Sequence, residues 1–250
     1  MSKTVQQSER EDFVLSIDSL DKSYPDNGGR LPILEDFSLD LHDGEFICIL
    51  GKSGCGKSTL LQCIAGLEEY QAGSISGEYD SVGYVFQEDR LLNWRTVRDN
   101  LKIVLESNEV PEEEHEERIE YYLSLVDLAG VADKYPLMLS GGMKQRVSIA
   151  RALVIEPQIL LMDEPFSSLD EITARELRQS FLDMIHELDQ SVLFVTHNVS
   201  EAVFLSDRIV TLASEAPSYI AKNIENPLEY PRDIDSVEVL ELKKEIVTYL

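Results

Sequence analysis

The sequence predicts an α/β fold built on a parallel sheet, with an antiparallel β subdomain and an inserted α-helical subdomain. Continuous apolar runs recur along the chain with helical patterns between them, which is typical of strands buried on both faces of a parallel sheet. Near the N-terminus the apolar residues alternate with polar ones, as in antiparallel strands with one solvated face. From residue 97 to residue 155 the apolar residues follow helical spacing instead.

The strands can be placed from these patterns in chain order. Residues 13–24 and 37–41 alternate and are predicted as antiparallel strands, with a turn at residues 25–29 between them. The pattern of residues 174–188 predicts a helix between two strands of the parallel sheet. The apolar runs predicted as buried strands are 46–50, 159–162, 192–195 and 209–212.

Helical patterns account for the middle and the end of the chain. Pro111 is placed to open a helix whose first turn carries glutamates, which the helix dipole favours. A final amphipathic helix is predicted over residues 235–250, opening with an Asp-x-x-Glu pattern at Asp235. We therefore predict a single domain over residues 1–250. Its parts are an α/β core with the β subdomain at 13–96 and 156–225, a helical subdomain at 97–155 and a helical tail at 226–250.

The chain carries 47 acidic and 22 basic residues, a formal net charge of −25. Such a surface repels phosphate backbones, so we expect no nucleic-acid partner. Two interpretations of the excess acid remain open. The acidic residues form solvated helix faces, as in residues 112–117, or they reflect a salt-rich cytoplasm in which cations screen the self-repulsion of the chain.

The N-terminus has no apolar stretch, and no window approaches the roughly 18 apolar residues of a membrane helix. We therefore expect no secretory signal and a chain that stays in the cytosol.

The three cysteines, Cys48, Cys55 and Cys63, are odd in number and lack CxxC spacing. They are predicted to be reduced thiols, because neither a disulfide framework nor a zinc site fits that pattern.

A phosphate-binding loop is the strongest local pattern in the chain. The segment 51–59 fits G-x-x-x-x-G-K-S, follows an apolar strand and precedes a helical pattern. Glycines let the backbone N–H groups turn toward phosphate, Lys57 reaches the β and γ phosphates, and Ser58 is a ligand for Mg²⁺. The predicted nucleotide-binding residues of this loop are Gly51, Lys52, Ser53, Gly54, Cys55, Gly56, Lys57, Ser58 and Thr59.

Polar residues that end two of the apolar strands are the candidate catalytic groups. Asp163 ends a strand beside the phosphate-binding loop, where it is expected to hold Mg²⁺ directly or through water. Glu164 is placed to accept a proton from an attacking water. His197 follows the next strand and is expected at the same edge of the sheet. The other histidines, which we expect at the surface, are His42, His115 and His186.

A second anion site is predicted within residues 139–146. Ser140 is followed by Gly141 and Gly142 at the start of an apolar helical pattern, which exposes backbone N–H groups. Taken by themselves, these residues leave open whether the two anion sites serve one nucleotide or two.

From about Phe13 to Leu212 the chain resembles the ATP-binding subunits of ABC transporters. The stretch 139–145 is similar to the signature motif of that family, Leu-Ser-Gly-Gly-x-x-Gln, with Gln145 at its end. Gln87 resembles the glutamine that contacts Mg²⁺ and the membrane partner. The segment 167–170 resembles the D-loop, with its aspartate at Asp170. His197 resembles the switch histidine, and Tyr24 the aromatic residue that stacks on adenine.

The resemblance implies a P-loop ATPase that works as a head-to-tail dimer, either with itself or with a second ATPase subunit. One ATP with its Mg²⁺ would lie between the P-loop of one subunit and the signature residues Ser140, Gly141, Gly142 and Gln145 of the other. Hydrolysis to ADP and phosphate would drive transport through a transmembrane permease, served indirectly by a solute-binding protein. The chain would then be a peripheral protein on the cytoplasmic side of the membrane.

A finer resemblance concerns the cargo. Residues 91–100, Met143 and residues 231–233 are similar to importers of nitrate, sulfonate and taurine, although this chain has Asn93 where proline is usual and Asn198 where aspartate is usual. The alternative is a soluble ABC-class ATPase of DNA repair or translation. Such proteins carry long coiled-coil insertions or tandem cassettes, and this sequence contains neither. Two roles remain open for Trp94: it packs inside the protein as a core aromatic residue, or it contacts a helix of the permease.

Overall fold

A computed structural model describes residues 13–26, 28–77, 79, 81–213 and 217–250. The strands within these ranges are β1 Phe13–Asp26, β2 Gly29–His42, β3 Phe46–Leu50, β4 Ala72–Ser76, β5 Val82–Val85, β6 Ile159–Asp163, β7 Ser191–Thr196, β8 Arg208–Leu212 and β9 Ile220–Glu225. The helices are α1 Lys57–Ile64, α2 Val97–Ser107, α3 Glu112–Leu125, α4 Gly141–Leu153, α5 Glu171–Leu188, α6 Val199–Leu205 and α7 Val237–Val247. A short 3₁₀ turn at Pro136–Met138 precedes α4.

The main sheet has six strands in the order β5, β6, β7, β3, β8 and β9. The first five are parallel, and β9 pairs antiparallel to β8. This confirms the α/β fold and the four predicted buried strands. A separate three-stranded antiparallel sheet has the order β2, β1, β4 and forms the β subdomain.

The side chains of the main sheet point alternately into two cores. In β3, Phe46, Cys48 and Leu50 face a core shared with helices α2 to α7. Ile47 and Ile49 face a second core, shared with α1 and the antiparallel sheet. Since successive residues of a strand point to opposite faces, a fully apolar strand of this kind must be covered on both sides. The sheet is therefore the middle layer of the fold.

The sequence misses several short or polar elements. The strands β4 and β9 and the helix α6 have no clear apolar periodicity, and none of them was predicted. The strands β1 and β2 are longer than expected, so Pro25, Asp26 and Gly29 belong to strands rather than to the predicted turn, and residue 27 lies outside the described residues. Of the described residues between 97 and 155, none forms a strand, as predicted.

Three local expectations have clear outcomes. Pro111 does precede α3 and supplies its N-cap position. The expectation that His115 lies at the surface is wrong: it is 4% exposed, and its Nε2 lies 2.9 Å from the carbonyl oxygen of Val110. The tail helix α7 is capped by Ser236, which accepts from the N–H of Val239, so the predicted opening at Asp235 is wrong by one residue.

The three cysteines, Cys48, Cys55 and Cys63, are buried free thiols, as expected. Among the described residues, no helix combines the length and the apolar character that crossing a bilayer requires.

Candidate functional site

The phosphate-binding loop lies between the end of β3 and the start of α1. Gly54 and Gly56 have φ angles of 84° and 96°, a region that glycine adopts without the steric cost of a Cβ atom. A Cβ on Gly56 would also lie 2.7 Å from Cγ2 of Ile33 in β2. Gly56 is the N-cap residue of α1 and gives no side-chain cap, so the first N–H groups of the helix are left for a ligand.

Lys57 lies inside this loop and is only 4% exposed. The ammonium group donates to the carbonyl oxygens of Gly51 at 2.7 Å and Lys52 at 3.0 Å. It also lies 3.5 Å from Oε1 of Glu164. The loop therefore holds a buried ammonium group between its own carbonyl oxygens and Glu164.

Ser58 and Asp163 lie next to each other, as predicted for a magnesium site. The hydroxyl of Ser58 donates to Oδ1 of Asp163 at 2.9 Å. Burial raises the pKa of Asp163, and the hydrogen bond from Ser58 opposes that shift. A hydroxyl and a desolvated carboxylate are the hard oxygen donors that Mg²⁺ prefers, and a cation would offset the cost of burying that charge. The residues present therefore fit Mg²⁺.

Gln87, the third predicted metal ligand, has a different neighbour in this conformation. Its side-chain amide donates to the hydroxyl of Ser167 at 3.4 Å, so it lies beside the D-loop. The hydroxyl of Ser167 in turn donates to the carbonyl oxygen of Glu164 at 2.9 Å. The structure therefore links Gln87 to the backbone of Glu164 through one residue of the D-loop.

Glu164 is the centre of the site. Its backbone has φ = 43°, which is uncommon for a residue with a Cβ and is typical of functional positions. Its N–H donates to the carbonyl oxygen of Val195 in β7 at 3.0 Å. Its Oε2 lies 2.7 Å from Nδ1 of His197, while Oε1 faces Lys57. The three predicted catalytic residues, which are distant in sequence, therefore meet at one edge of the sheet.

A phenol beside this cluster was not anticipated. Tyr84 lies in β5, next to the strand that carries Asp163. Burial and then the negative charge of Asp163 raise the pKa of Tyr84. The sequence signal was only an aromatic residue in an apolar run, which is typical of core packing.

The second predicted anion site lies at the start of α4. Ser140 caps this helix by accepting from the N–H of Met143 at 3.3 Å, and Gly141 is exposed. Gly142 is required by packing, since a Cβ there would lie 2.8 Å from Cγ2 of Thr173 in α5. Gln145, however, is only 2% exposed, so unlike Ser140 and Gly141 it is not presented to a second subunit.

The D-loop residue Asp170 lies beside the signature residues. It caps α5 by accepting from the N–H of Thr173 at 3.1 Å, and this hydrogen bond lowers the pKa of Asp170. Leu169 is the nearest neighbour of the Cβ position of Gly141, at 3.9 Å. The signature glycines therefore lie next to the D-loop, and Gly141, in the first turn of α4, remains exposed to solvent.

Tyr24 lies in β1, whose partner strand β2 packs against Gly56 of the loop through Ile33. The ammonium group of Lys22 lies 4.4 Å from the centroid of the Tyr24 ring. Lys22 is itself anchored, by Oε2 of Glu68 at 2.8 Å and the carbonyl oxygen of Glu69 at 2.6 Å. One face of the ring is thus held by a fixed cation, a feature that the sequence did not indicate.

Trp94 is 73% exposed, so its interpretation as a packing aromatic is wrong. The interpretation as a contact for a permease stays a prediction.

Comparison with known proteins agrees with this geometry. The sequence profile described as "ABC transporter" matches residues 34–167. The aliphatic sulfonates import ATP-binding protein SsuB of Bacillus cereus is 37% identical over 94% of this chain and 95% of that protein. The nitrate import ATP-binding protein NrtD of Synechococcus elongatus is 38% identical over 89% of this chain and 85% of that protein.

A solved structure shares the fold. The dimeric post-hydrolysis state of the ATP-binding cassette MJ0796, bound to ADP and Pi, has a TM-score of 0.75 and 28% sequence identity, and the match covers 86% of this chain and all of that one. Because the profile spans more than half of the residues and the relatives align along most of their length, the chain belongs to the ABC transporter family, in which it is an ATP-binding and ATP-hydrolysing subunit.

Proposed function

We propose that this chain powers a membrane importer for a small, anionic solute by closing a head-to-tail dimer on ATP and reopening it after hydrolysis. The observation that carries the proposal is the meeting of Lys57, Glu164 and His197 at the P-loop. The second glycine-opened helix, α4, brings no catalytic side chain to that cluster and supplies donors without a ligand of their own.

ATP binding replaces the internal partners of Lys57. The ammonium group now satisfied by the carbonyl oxygens of Gly51 and Lys52 turns to the β and γ phosphates, whose charge makes them stronger acceptors. The bare N–H groups of the loop and of α1 bind the same phosphates. Ser58 and Asp163 would hold Mg²⁺, which neutralises charge on the phosphates when it is bound.

Glu164 is the general base for hydrolysis. A carboxylate can accept a proton from the water that attacks the γ phosphate. His197 lies within hydrogen-bond distance of the same carboxylate, at 2.7 Å, and fixes its direction. The hydrogen bond from the Glu164 backbone to β7 fixes the residue from the other side. The base is thus held in place before the substrate arrives.

The backbone donors at the start of α4 support the proposed dimer. Ser140 and Gly141 present the start of that helix on the surface, and phosphate is the ligand that a glycine-opened helix start favours. The relative MJ0796 is dimeric after hydrolysis with ADP and Pi, which supports a dimer here. Loss of the γ phosphate removes the ligand that both halves share, so the open dimer becomes the favoured state.

The similarity to import ATP-binding proteins supports both a membrane partner and a class of cargo. The ATP-binding proteins for aliphatic sulfonate and nitrate import suggest a small oxyanion or a related solute as cargo. The chain itself would act as a peripheral subunit on the cytoplasmic side, bound to a transmembrane permease. The exposed indole of Trp94 is a suitable anchor for a permease helix.

The central experiment is Glu164→Gln, which keeps the shape of the side chain and removes the proton acceptor. We expect turnover to fall by about 100- to 10,000-fold, and we expect ATP with Mg²⁺ to trap a stable dimer in light scattering. Glu176→Gln, at an exposed position of α5, is the matched control and keeps wild-type turnover. A Glu164→Gln protein that stays monomeric and turns over normally contradicts the mechanism.

Cargo and partner are tested by ATPase stimulation. The chain is reconstituted in vesicles with a candidate transmembrane permease, and candidate solute-binding proteins loaded with nitrate, a sulfonate or taurine are added in turn. Stimulation by one loaded protein assigns the cargo class. Stimulation by DNA ends or ribosomes, with none by the vesicles, would instead identify the soluble ABC-class ATPase.

A further inference from the structure

We propose that Thr196 and Glu201 are positioning residues for hydrolysis, which hold the backbone on both sides of His197. Glu201 is anchored by Arg178 and acts on His197 through the hydroxyl of Thr196. The proposal rests on the ATPase function given above, since it concerns how the switch histidine reaches Glu164.

Thr196 is the junction between the P-loop and the switch histidine. Its carbonyl oxygen accepts from the N–H of Gly51, the first residue of the P-loop, at 3.3 Å. Its hydroxyl donates to Oε2 of Glu201 at 2.6 Å and accepts from the N–H of Asn198 at 3.1 Å. The residues immediately before and after His197 are therefore tied to one hydroxyl group.

That hydroxyl is fixed by a buried ion pair. Glu201 and Arg178 are 5% and 2% exposed, and the guanidinium donates to Oε1 of Glu201 at 3.2 Å. The carboxylate thus uses one oxygen for Arg178 and the other for Thr196. Burial raises the pKa of Glu201, and its bonds to Thr196 and Arg178 oppose that shift. A buried carboxylate with both oxygens engaged has little freedom to move.

Arg178 extends the connection toward the D-loop. The same guanidinium donates to Oε1 of Glu171 at 2.5 Å, and Glu171 directly follows the D-loop residue Asp170. A chain of polar contacts therefore runs from the first turn of α5, through Arg178 and Glu201, to the backbone at His197. These contacts place His197 so that Nδ1 lies 2.7 Å from Glu164.

The side chains of Thr196 and Glu201 bond to each other, and their remaining partners are the N–H of Asn198 and the guanidinium of Arg178. We therefore expect their effect on turnover to pass through the segment that carries His197. Asn198 contributes only locally, since its side chain caps α6 by accepting from the N–H of Ser200 at 2.9 Å. The polar group that fixes the switch segment is the hydroxyl of Thr196, and its removal frees the N–H of Asn198.

The test is Thr196→Val, which keeps the shape of the side chain and deletes the hydroxyl. We expect kcat to fall by about 10- to 100-fold, because small misplacements of a catalytic group have effects of that size. The KM for ATP and the ATP Kd should stay within about threefold of wild type, since the P-loop is untouched. Thr196→Ser restores the hydroxyl and should restore kcat.

A double-mutant cycle with His197→Ala shows whether the effect passes through the histidine. If Thr196 acts through His197, Thr196→Val lowers kcat in the wild-type background and has no further effect in the His197→Ala background. An equal fall in both backgrounds overturns the proposal. Glu201→Gln is the second variant, used if Thr196→Val does not fold, and the same non-additivity is expected of it.

The control is a second ion pair, slightly less buried, at the opposite end of the sheet. Arg208 at the start of β8 bonds Glu45 at 2.6 and 2.8 Å, and Glu45→Gln removes a comparable charge there. This variant should leave kcat unchanged, whereas a general loss of rigidity would lower kcat in both Glu45→Gln and Glu201→Gln and contradict the proposal. An inactive wild-type protein would instead refute the ATPase function itself.

Discussion

The two glycine-opened helix starts, α1 and α4, differ in what surrounds them. The start of α1 has no side-chain cap and lies among Lys57, Asp163 and Glu164, which can bind cation and phosphate and accept a proton. The start of α4 is capped by Ser140 and brings no catalytic side chain with it. One helix start therefore carries catalytic side chains and the other offers only backbone donors, which is the difference behind our proposal that the two complete one site.

The largest expected effect tests whether the two helix starts complete one site in trans. Lys57→Ala removes the ammonium at α1, and Gly141→Asp puts a negative charge at α4, where the nearest neighbour of the new Cβ is 3.9 Å away. Each variant alone should lose about 100-fold or more in turnover. Mixing the two should raise turnover at least about tenfold, because each mixed dimer contains one site free of both changes.

Gly141→Asn is the control for the size of the new side chain, and it should impair turnover less than Gly141→Asp does. A mixture that stays as inactive as its two components would mean that each chain completes its own site. That result would contradict the proposal that α1 of one subunit and α4 of the other form one site.

The next effect concerns why α4 needs two glycines. Gly142→Ala puts a methyl group 2.8 Å from Cγ2 of Thr173, so we expect a loss of about 1–3 kcal/mol in the free energy of unfolding from overpacking. Gly141→Ala meets nothing closer than 3.9 Å and should be neutral or slightly stabilising. Urea unfolding midpoints measure the difference. Thr173→Ser should rescue Gly142→Ala, and equal midpoints for the two alanine variants would contradict the packing role.

The smallest expected effect is the salt dependence that follows from the negative net charge of the chain. Two copies with a net charge of −25 each must approach closely when α1 of one meets α4 of the other, and salt screens that repulsion, with a Debye length of about 10 Å at 0.1 M and 3 Å at 1 M. Raising KCl should therefore lower the protein concentration at which Glu164→Gln dimerises with ATP, and it should raise the melting temperature of the wild-type chain. A flat response in both assays would favour the interpretation of the acidic residues as ordinary solvated helix faces.

Much of the fold could be predicted because its signals are local. The apolar runs of β3, β6, β7 and β8 are long enough to indicate strands buried on both faces, and α5 has a clear helical period. The elements that were missed lack that signal. The strand β4, with the sequence AGSIS, is mostly exposed, and it pairs with β1, a strand distant in the chain, which periodicity does not report.

The residues of the site also fall into those that a local sequence pattern identifies and those that depend on tertiary contacts. The P-loop and the signature stretch are continuous segments whose glycines, lysine and serines could be identified from spacing. The burial of His115 and Gln145 could not, because both lie on helices whose orientation is set by packing against other elements. The anchoring of Tyr24 by Lys22 and the chain from Arg178 to Thr196 depend on residues far apart in the sequence, and no local pattern marks such contacts.

The α/β class, the phosphate-binding loop, the second glycine-opened helix and the candidate catalytic groups can all be identified from the sequence alone, since each depends on residues within one short segment. The meeting of Lys57, Glu164 and His197, and the link that Thr196 makes between the P-loop and the switch histidine, become visible only in the folded chain. The reason is physical: parallel strands bring their carboxyl ends to one edge of the sheet, and the packing of helices on that sheet sets which donors remain free.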